Sequence, residues 1–517
     1  MANVLLRASA LLLAAFALVL VYFRLPESGA RGEHALCEHC NVVLISFDTV
    51  RADHLGCYGY DRPTSPNVDK LASRSLVFER AIAQAPWTLP SHGAMLSGLY
   101  PSRLGVLRYP ATRILPDQDT VLPEMFRAAG YATAGFTGGG FVSDHYGFDR
   151  GFDVYESKGR RYEHNLDDTI DWLEEHRKQP FFLFFHGYDA HRPYYSKPAD
   201  KKEMGLPEDA ENDQNRYCLR DDREVPEGPK RDKVVRYYDA AIHHGDRGIG
   251  VLLDALKQLK LDERTVILLT SDHGEEFFEH GNCDHVRFLY RESIHVPYMI
   301  YVPGFTPEGK RIPGLIPASI SIARTLLDIV GIDHAMPGVT LMPMIDGKQK
   351  NFPVVYSEAD SAPGVLGSRG RTIAMTKPEL KLISYTDEGT DEAYNLREDP
   401  GEHTPLPEKN TAYYMRQTLR AWSDSLKPLP RPAVEPDDIA KAMARDEEDS
   451  TGTGGDDEDG NAPGAASGRE GAKAASPDAG KDAPKGGAKG AGPGKARKNP
   501  KMPEQLKKDL KSLGYLQ

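Results

Sequence analysis

Val42-Val43-Leu44-Ile45-Ser46-Phe47, followed at once by Asp48-Thr49, decides the fold. The run is short, rich in β-branched residues and apolar on both faces, as a strand buried inside a parallel sheet must be. A second run of the same kind, Val266-Ile267-Leu268-Leu269-Thr270-Ser271, passes straight into Asp272-His273-Gly274. That second run gives a candidate strand over Thr265–Thr270, and further candidates are Thr133–Thr137, Phe181–Phe185 and Tyr298–Val302. Between them lie helical patterns, such as Leu166, Ile170 and Leu173, and later Ile242, Ile249, Leu252, Leu253 and Leu256. Strands alternating with helices predict an α/β fold, a mostly parallel sheet flanked by helices. Open sheets of this type bind ligands beyond the carboxyl ends of their strands, where both runs carry acids.

A third segment, Trp87-Thr88-Leu89-Pro90-Ser91-His92, supplies a hydroxyl. Pro90 suits the first turn of a helix that Ala94, Met95 and Leu96 continue, so Thr88 stands at a helix N-terminus, which favours an anion. Threonine is a common N-cap. Framed by two acidic strand ends it is also a candidate nucleophile, activated by a metal ion and the helix dipole. Asp48, Thr88, Asp272 and His273 together predict a site for one divalent metal ion. Carboxylate, hydroxyl and imidazole ligands suit Ca, Mg, Mn or Zn alike.

The order Asp48-Thr49, Thr88-x-Pro90-Ser91-His92-x-x-x-Leu96-Ser97-Gly98, His191, Asp272-His273-Gly274 resembles the sulfatase family of the alkaline phosphatase superfamily, over roughly residues 41 to 425. Leu55-Gly56-Cys57-Tyr58-Gly59, Gly147-Phe148-Asp149-Arg150-Gly151-Phe152-Asp153 and Asp399-Pro400-Gly401-Glu402 strengthen the resemblance. It implies a large mixed sheet and a smaller C-terminal antiparallel α+β subdomain. It also implies that His191 contacts the transferred group or protonates the leaving oxygen, with Asp189 holding it or a second cation. His285 matches a histidine that precedes Leu289-Tyr290-Arg291-Glu292, and joins His191 and Asp189 as substrate-binding candidates.

The departures matter as much. Where sulfatases carry a formylglycine-forming Cys (or Ser) and then Arg, this chain has Thr88 and His92, both assigned to the catalytic set. Thr49 replaces a second acid, and Val286 stands where many sulfatases have Lys. A formylglycine hydrate releases sulfate by collapsing to an aldehyde. A threonine ester has no such exit and must be attacked again at its central atom, which phosphorus tolerates. The expected function is therefore metal-dependent hydrolysis or transfer of phosphate mono- or diesters. Two rivals stand beside it: a sulfuric ester hydrolase working without formylglycine, and a non-catalytic module that holds anionic glycans.

The chain has 517 residues, 40% of them apolar and 27% charged, enough for one large α/β domain and a smaller one. A formal net charge of −12 argues against nucleic acid as a partner. Arg7, an apolar stretch from Ala8 to Phe23 and Arg24 read as a signal peptide or membrane anchor over residues 1–24. Either puts the catalytic domain outside the cytoplasm, where a glycan, lipid or small-molecule ester would be the substrate. Cys37-x-x-Cys40 then reads as a local disulfide. The expected plan continues with a tether (25–40), a catalytic domain (41–350) and a subdomain (351–430). A disordered tract (431–500) poor in apolar residues and a docking helix (501–517) follow. Residues 196–232, polar and Pro-rich, read as a mobile surface insertion beside the site.

Overall fold

The computed structural model describes residues 35–426 apart from 110–114, 116–118, 211–224, 307, 362–368 and 408–409. The expected leader, the 431–500 tract and the helix expected over 501–517 lie outside the described residues. Among those described, no helix is long and apolar enough to cross a membrane.

In chain order the strands begin β1 (Asn41–Phe47), β2 (Leu76–Ile82), β3 (Arg108–Tyr109), β4 (Ala132–Phe136), β5 (Val154–Glu156), β6 (Phe181–Gly187) and β7 (Thr265–Thr270). They continue with β8 (Glu276–Phe277), β9 (Cys283–Asp284), β10 (His295–Val296), β11 (Tyr298–Tyr301) and β12 (Lys310–Pro317). The main sheet runs β10-β2-β11-β7-β1-β6-β4-β5, with β12 beside β2. β1 is central and fully buried, and it pairs in parallel with β6 and β7, Val43 lying opposite Leu183 and Ile267. The period-2 alternation of a strand sends Val42 and Leu44 into one core and Val43, Ile45 and Phe47 into the other. The first core also takes Leu89, Met95 and Leu96 of α1 (Thr88–Ser97). The second takes one face each of α2 (Tyr162–His176) and α3 (Pro229–Gln258). Parallel pairing aligns the carboxyl ends of β1, β6 and β7, so Asp48, Tyr188 and Ser271 leave the sheet together.

The sheet is mixed because β11 runs antiparallel to both β7 and β2. β2 and β12 escape a pattern search for physical reasons. β2 is broken in its apolar run by the half-buried Glu79 and Arg80, and β12 is interrupted by Pro313-Gly314, where the register shifts.

The second sheet has the order β16-β15-β14-β13-β3, from β13 (Val355–Ser361), β14 (Arg371–Thr376), β15 (Leu380–Tyr385) and β16 (Thr390–Asn395). β13 to β16 are antiparallel, while β3, from the earlier part of the chain, joins β13 in parallel. α4 (Asn410–Ser425) covers it with Leu419 and Trp422, the Trp422 ring stacked 4.1 Å from Tyr356. Tyr414 is turned to solvent instead.

Cys37 and Cys40 form the expected disulfide, Cys283 is also disulfide-bonded, and Cys57 is free. The described part of 196–232 is not all surface. Pro198–Glu203 is a helix whose Asp200 is buried and bonded to His243, His244 and Arg247 of α3. The apolar content there is low because these contacts are polar.

Candidate active site

Asp48, Asp272 and His273 offer ligand atoms that all lie within 4.8 Å of one another, and all three are buried. The turn after β1 achieves this under strain. Thr49 has φ +60°, a left-handed conformation that a β-branched residue adopts only when its surroundings impose it, at about 1–3 kcal/mol. The Thr49 N–H donates to Asp272 Oδ1 at 3.2 Å, its hydroxyl to the Asp48 carbonyl at 2.7 Å, and Tyr238 donates to its carbonyl at 2.7 Å. Val50 N–H is taken by Ser271 Oγ at 2.9 Å, tying the two strand ends together. Gly274 allows the second turn, since a side chain there would strike the Glu292 carbonyl.

The donor set fits a divalent cation. His273 Nδ1 faces the Gly274 carbonyl at 2.8 Å and must donate, which leaves Nε2 as a bare lone pair 3.2 Å from Asp272 Oδ2. Burial foremost pushes His273 down to about 4, so the ring is neutral. Asp272 Oδ2 and Asp48 Oδ1 are buried without hydrogen-bond partners. Burial, and next the Asp272 charge, push Asp48 well above the usual carboxylate range. Lone pairs turned toward one another among buried side chains are unfavourable by themselves and suited to a cation. Thr88, the first residue of α1 and 2% exposed, brings Oγ1 to 3.5 Å from the same His273 Nε2.

His92 is held behind this cluster. Its Nδ1 donates to the Thr88 carbonyl at 3.0 Å and its Nε2 accepts from Ser46 Oγ at 2.8 Å, so both ring nitrogens are engaged. Burial keeps it neutral. His186, which the sequence did not single out, does the same for Asp48. Its Nδ1 accepts Gly138 N–H at 3.3 Å and its Nε2 donates to Asp48 Oδ2 at 3.1 Å. The available signal was its alignment with Ser46 at the end of β6.

His191 and His285 approach from the other side. The His285 ring centre lies 4.4 Å from that of His273 and 5.0 Å from that of His191. Against the cost of burial, Asp284 at 3.0 Å and Glu275 at 3.3 Å lift His285 to about 10, so the ring is protonated at neutral pH. His191 Nδ1 donates to the Arg192 carbonyl at 2.5 Å, and burial, with the His285 charge, pushes it well below its ordinary value. Asp189 is not brought to this group. Its carboxylate accepts Tyr162 N–H at 3.0 Å and lies 3.9 Å from His244 Nε2, within a separate buried cluster that includes Glu163 and Asp200.

Comparison with known proteins gives the family and the fold. The family described as Sulfatase matches residues 40–332, and the one described as N-sulphoglucosamine sulphohydrolase, C-terminal, matches residues 278–427. The chain is similar to an endo-4-O-sulfatase of Bacteroides thetaiotaomicron, 26% identical over 76% of this chain and 93% of the relative. It is also similar to a choline-sulfatase of Rhizobium meliloti, 26% identical over 74% and 85%. A solved structure with bound D-glucosamine-2-N,6-O-disulfate shares the fold at TM-score 0.63 and 19% identity, covering 80% of this chain and 99% of that one. The phosphonate monoester hydrolase of Agrobacterium radiobacter does so at TM-score 0.58 and 19% identity, covering 75% and 95%.

Proposed function

The chain belongs to the sulfatase family of ester hydrolases, and from that premise we propose that it cleaves phosphate mono- or diesters with Thr88 as the nucleophile. One observation carries the proposal: unshared lone pairs of buried Asp48, Asp272 and His273 converge beside Thr88 Oγ1. Asp48, Asp272, His273 and Thr88 would hold one divalent ion, which would lower the hydroxyl's pKa and offset charge in the transition state. The remaining work falls to the chain. Thr88 Oγ, its proton released to solvent, forms a bond to phosphorus as the bond to the leaving oxygen breaks. His191 and the cationic His285 face the departing group, one neutral and one able to give a proton. Water, or an acceptor alcohol, then opens the phosphothreonine at phosphorus. His92 and His186 act through others: one fixes the Thr88 carbonyl, the other the Asp48 carboxylate.

Residues 1–24 support a location outside the cytoplasm, with a glycan, lipid or small-molecule ester as substrate. A second reading, sulfate ester hydrolysis without formylglycine, is favoured by the names of the curated relatives, sulfatases at 26% identity. Kinetics on aryl phosphodiesters, aryl phosphates and aryl sulfates with each divalent ion separate the two. Turnover of the sulfate alone would overturn the proposal.

A further inference from the structure

Where β2 meets the second sheet, a cavity of about 960 Å³ is walled by β2, the start of β12 and the β14–β15 turn. Its wall is basic in a chain whose formal net charge is −12. Three of its cations have carboxylate partners: Arg311 with Glu79, Arg397 with Glu379 and Lys381 with Glu402. Four others, Arg80, Arg291, Lys310 and Lys350, form no ion pair with any carboxylate among the described residues.

Arg291 is built into the wall. Its Nε donates to His295 Nδ1 at 3.4 Å, and His295 Nε2 donates to the Glu79 carbonyl at 2.8 Å. Burial, then the Arg291 charge, push His295 down to about 4, so Nδ1 is a lone pair that holds one edge of the guanidinium. Arg80 is itself depressed below the usual arginine range, by burial first and by Arg291 second. Both guanidiniums line this cavity, where the one carboxylate acting on Arg80 is that of Glu379. Guanidinium forks match carboxylate, phosphate and sulfate geometry.

We propose that this cavity binds an anionic oligosaccharide, with Arg80 and Arg291 clamping one acidic group and Lys310 and Lys350 meeting the next. The volume lies at the upper end of ordinary ligand pockets, larger than a lone inorganic ion requires. The cavity is separate from the Thr88 cluster, and the inference stands whichever ester that cluster cleaves.

The test is isothermal titration of the full chain with a heparin-derived tetrasaccharide and, separately, inorganic sulfate. The wild type binds the tetrasaccharide more tightly than sulfate, and more weakly as salt rises. Arg80→Gln with Arg291→Gln weakens tetrasaccharide binding at least about tenfold, a loss well above the scatter of surface substitutions. Lys257→Gln, on the exposed end of α3, leaves it unchanged, as do all variants the turnover of a small aryl ester. Should the arginine pair disturb folding by circular dichroism, the exposed pair Lys310→Gln with Lys350→Gln carries the test, with a severalfold loss for the tetrasaccharide. A wild type that binds no tetrasaccharide, or binding equal across these variants, overturns the proposal.

Discussion

Thr88→Val separates chemistry from stability more cleanly than any other change. Valine keeps the β-branch and the volume at a position 2% exposed, so no cavity opens. The hydroxyl's hydrogen-bond contact is His273 Nε2 at 3.5 Å, long for a hydrogen bond, and its loss should cost about 1 kcal/mol of folding free energy or less. The helix start is unaffected, because the Trp87 carbonyl still accepts Ser91 N–H. Activity should behave quite differently. Without the oxygen no covalent intermediate forms, and kcat/KM on an aryl phosphodiester should fall by about 10⁴-fold or more, some 5.5 kcal/mol of barrier. Thr88→Ser, which keeps the oxygen, should stay within about tenfold of wild type. The assay is steady-state kinetics beside a thermal melt, with intact-mass detection of a phosphoryl adduct on wild type quenched in acid. A valine variant that keeps a tenth or more of the turnover, with a normal melt, refutes Thr88 as nucleophile.

Removing divalent ions with a chelator should abolish turnover and lower Tm. A restoring ion at about a hundredfold above its Kd returns about 2.7 kcal/mol of stability, and Asp272→Asn should erase most of that gain. His186→Gln, which no longer orients Asp48 as the imidazole does, should weaken that ion's affinity about 10–100-fold in a metal titration while the fold persists. His280, bonded to Glu292 at 2.6 Å and to the Glu402 carbonyl at 2.8 Å, is lifted to about 9 by those partners against the cost of its burial. Its folded value lies above the unfolded one. Its stabilisation is therefore complete below about pH 6.5 and lost as pH rises through about 9. Discounted for solvent screening, His280→Gln should cost about 1–2 kcal/mol at pH 6 and almost nothing above pH 9.5 in urea titrations. An equal loss at both pH values would mean that the imidazolium contributes nothing.

The acids were legible because each ends an apolar strand, and a strand end in a parallel sheet has one place to point. Thr88 was legible because Pro90 announces the helix. His186 was not, since a histidine closing Phe181-Phe182-Leu183-Phe184-Phe185 reads as a core residue until β1 is laid beside it. Asp189 and His191 illustrate the limit of a loop. Two residues apart, they face different clusters, and only the packing of α2 and α3 decides which faces which. Nor does the chain state what His92 does: one residue type can ligate or brace, and here Ser46 and the Thr88 carbonyl take both nitrogens.

The replaced cations bear on which phosphate ester fits. His92, His186, His191 and His273 are all held below the ordinary imidazole range, burial being the leading cause each time. Val286 brings no charge where sulfatases have Lys. Asp284 and Glu275 are balanced by His285 and Arg192, the latter 2.6 Å from Asp284. Asp48 and Asp272 would be balanced by one divalent ion, leaving little positive charge beyond Arg160 near His191. A phosphodiester, singly charged, suits such a pocket; a monoester dianion brings one charge more. At an effective dielectric near 20, one uncompensated charge about 4 Å away costs about 4 kcal/mol. Val286→Lys restores the lysine that the resemblance puts at position 286, where φ is +86°; Val286 is buried against the apolar core, so the comparison is made on protein whose melt is normal. The substitution should shift the ratio of kcat/KM for aryl monoester over diester upward by about tenfold or more, a fraction of that Coulomb limit once solvent screens it. A ratio that stays put, with both activities intact, would mean that something other than charge selects the substrate.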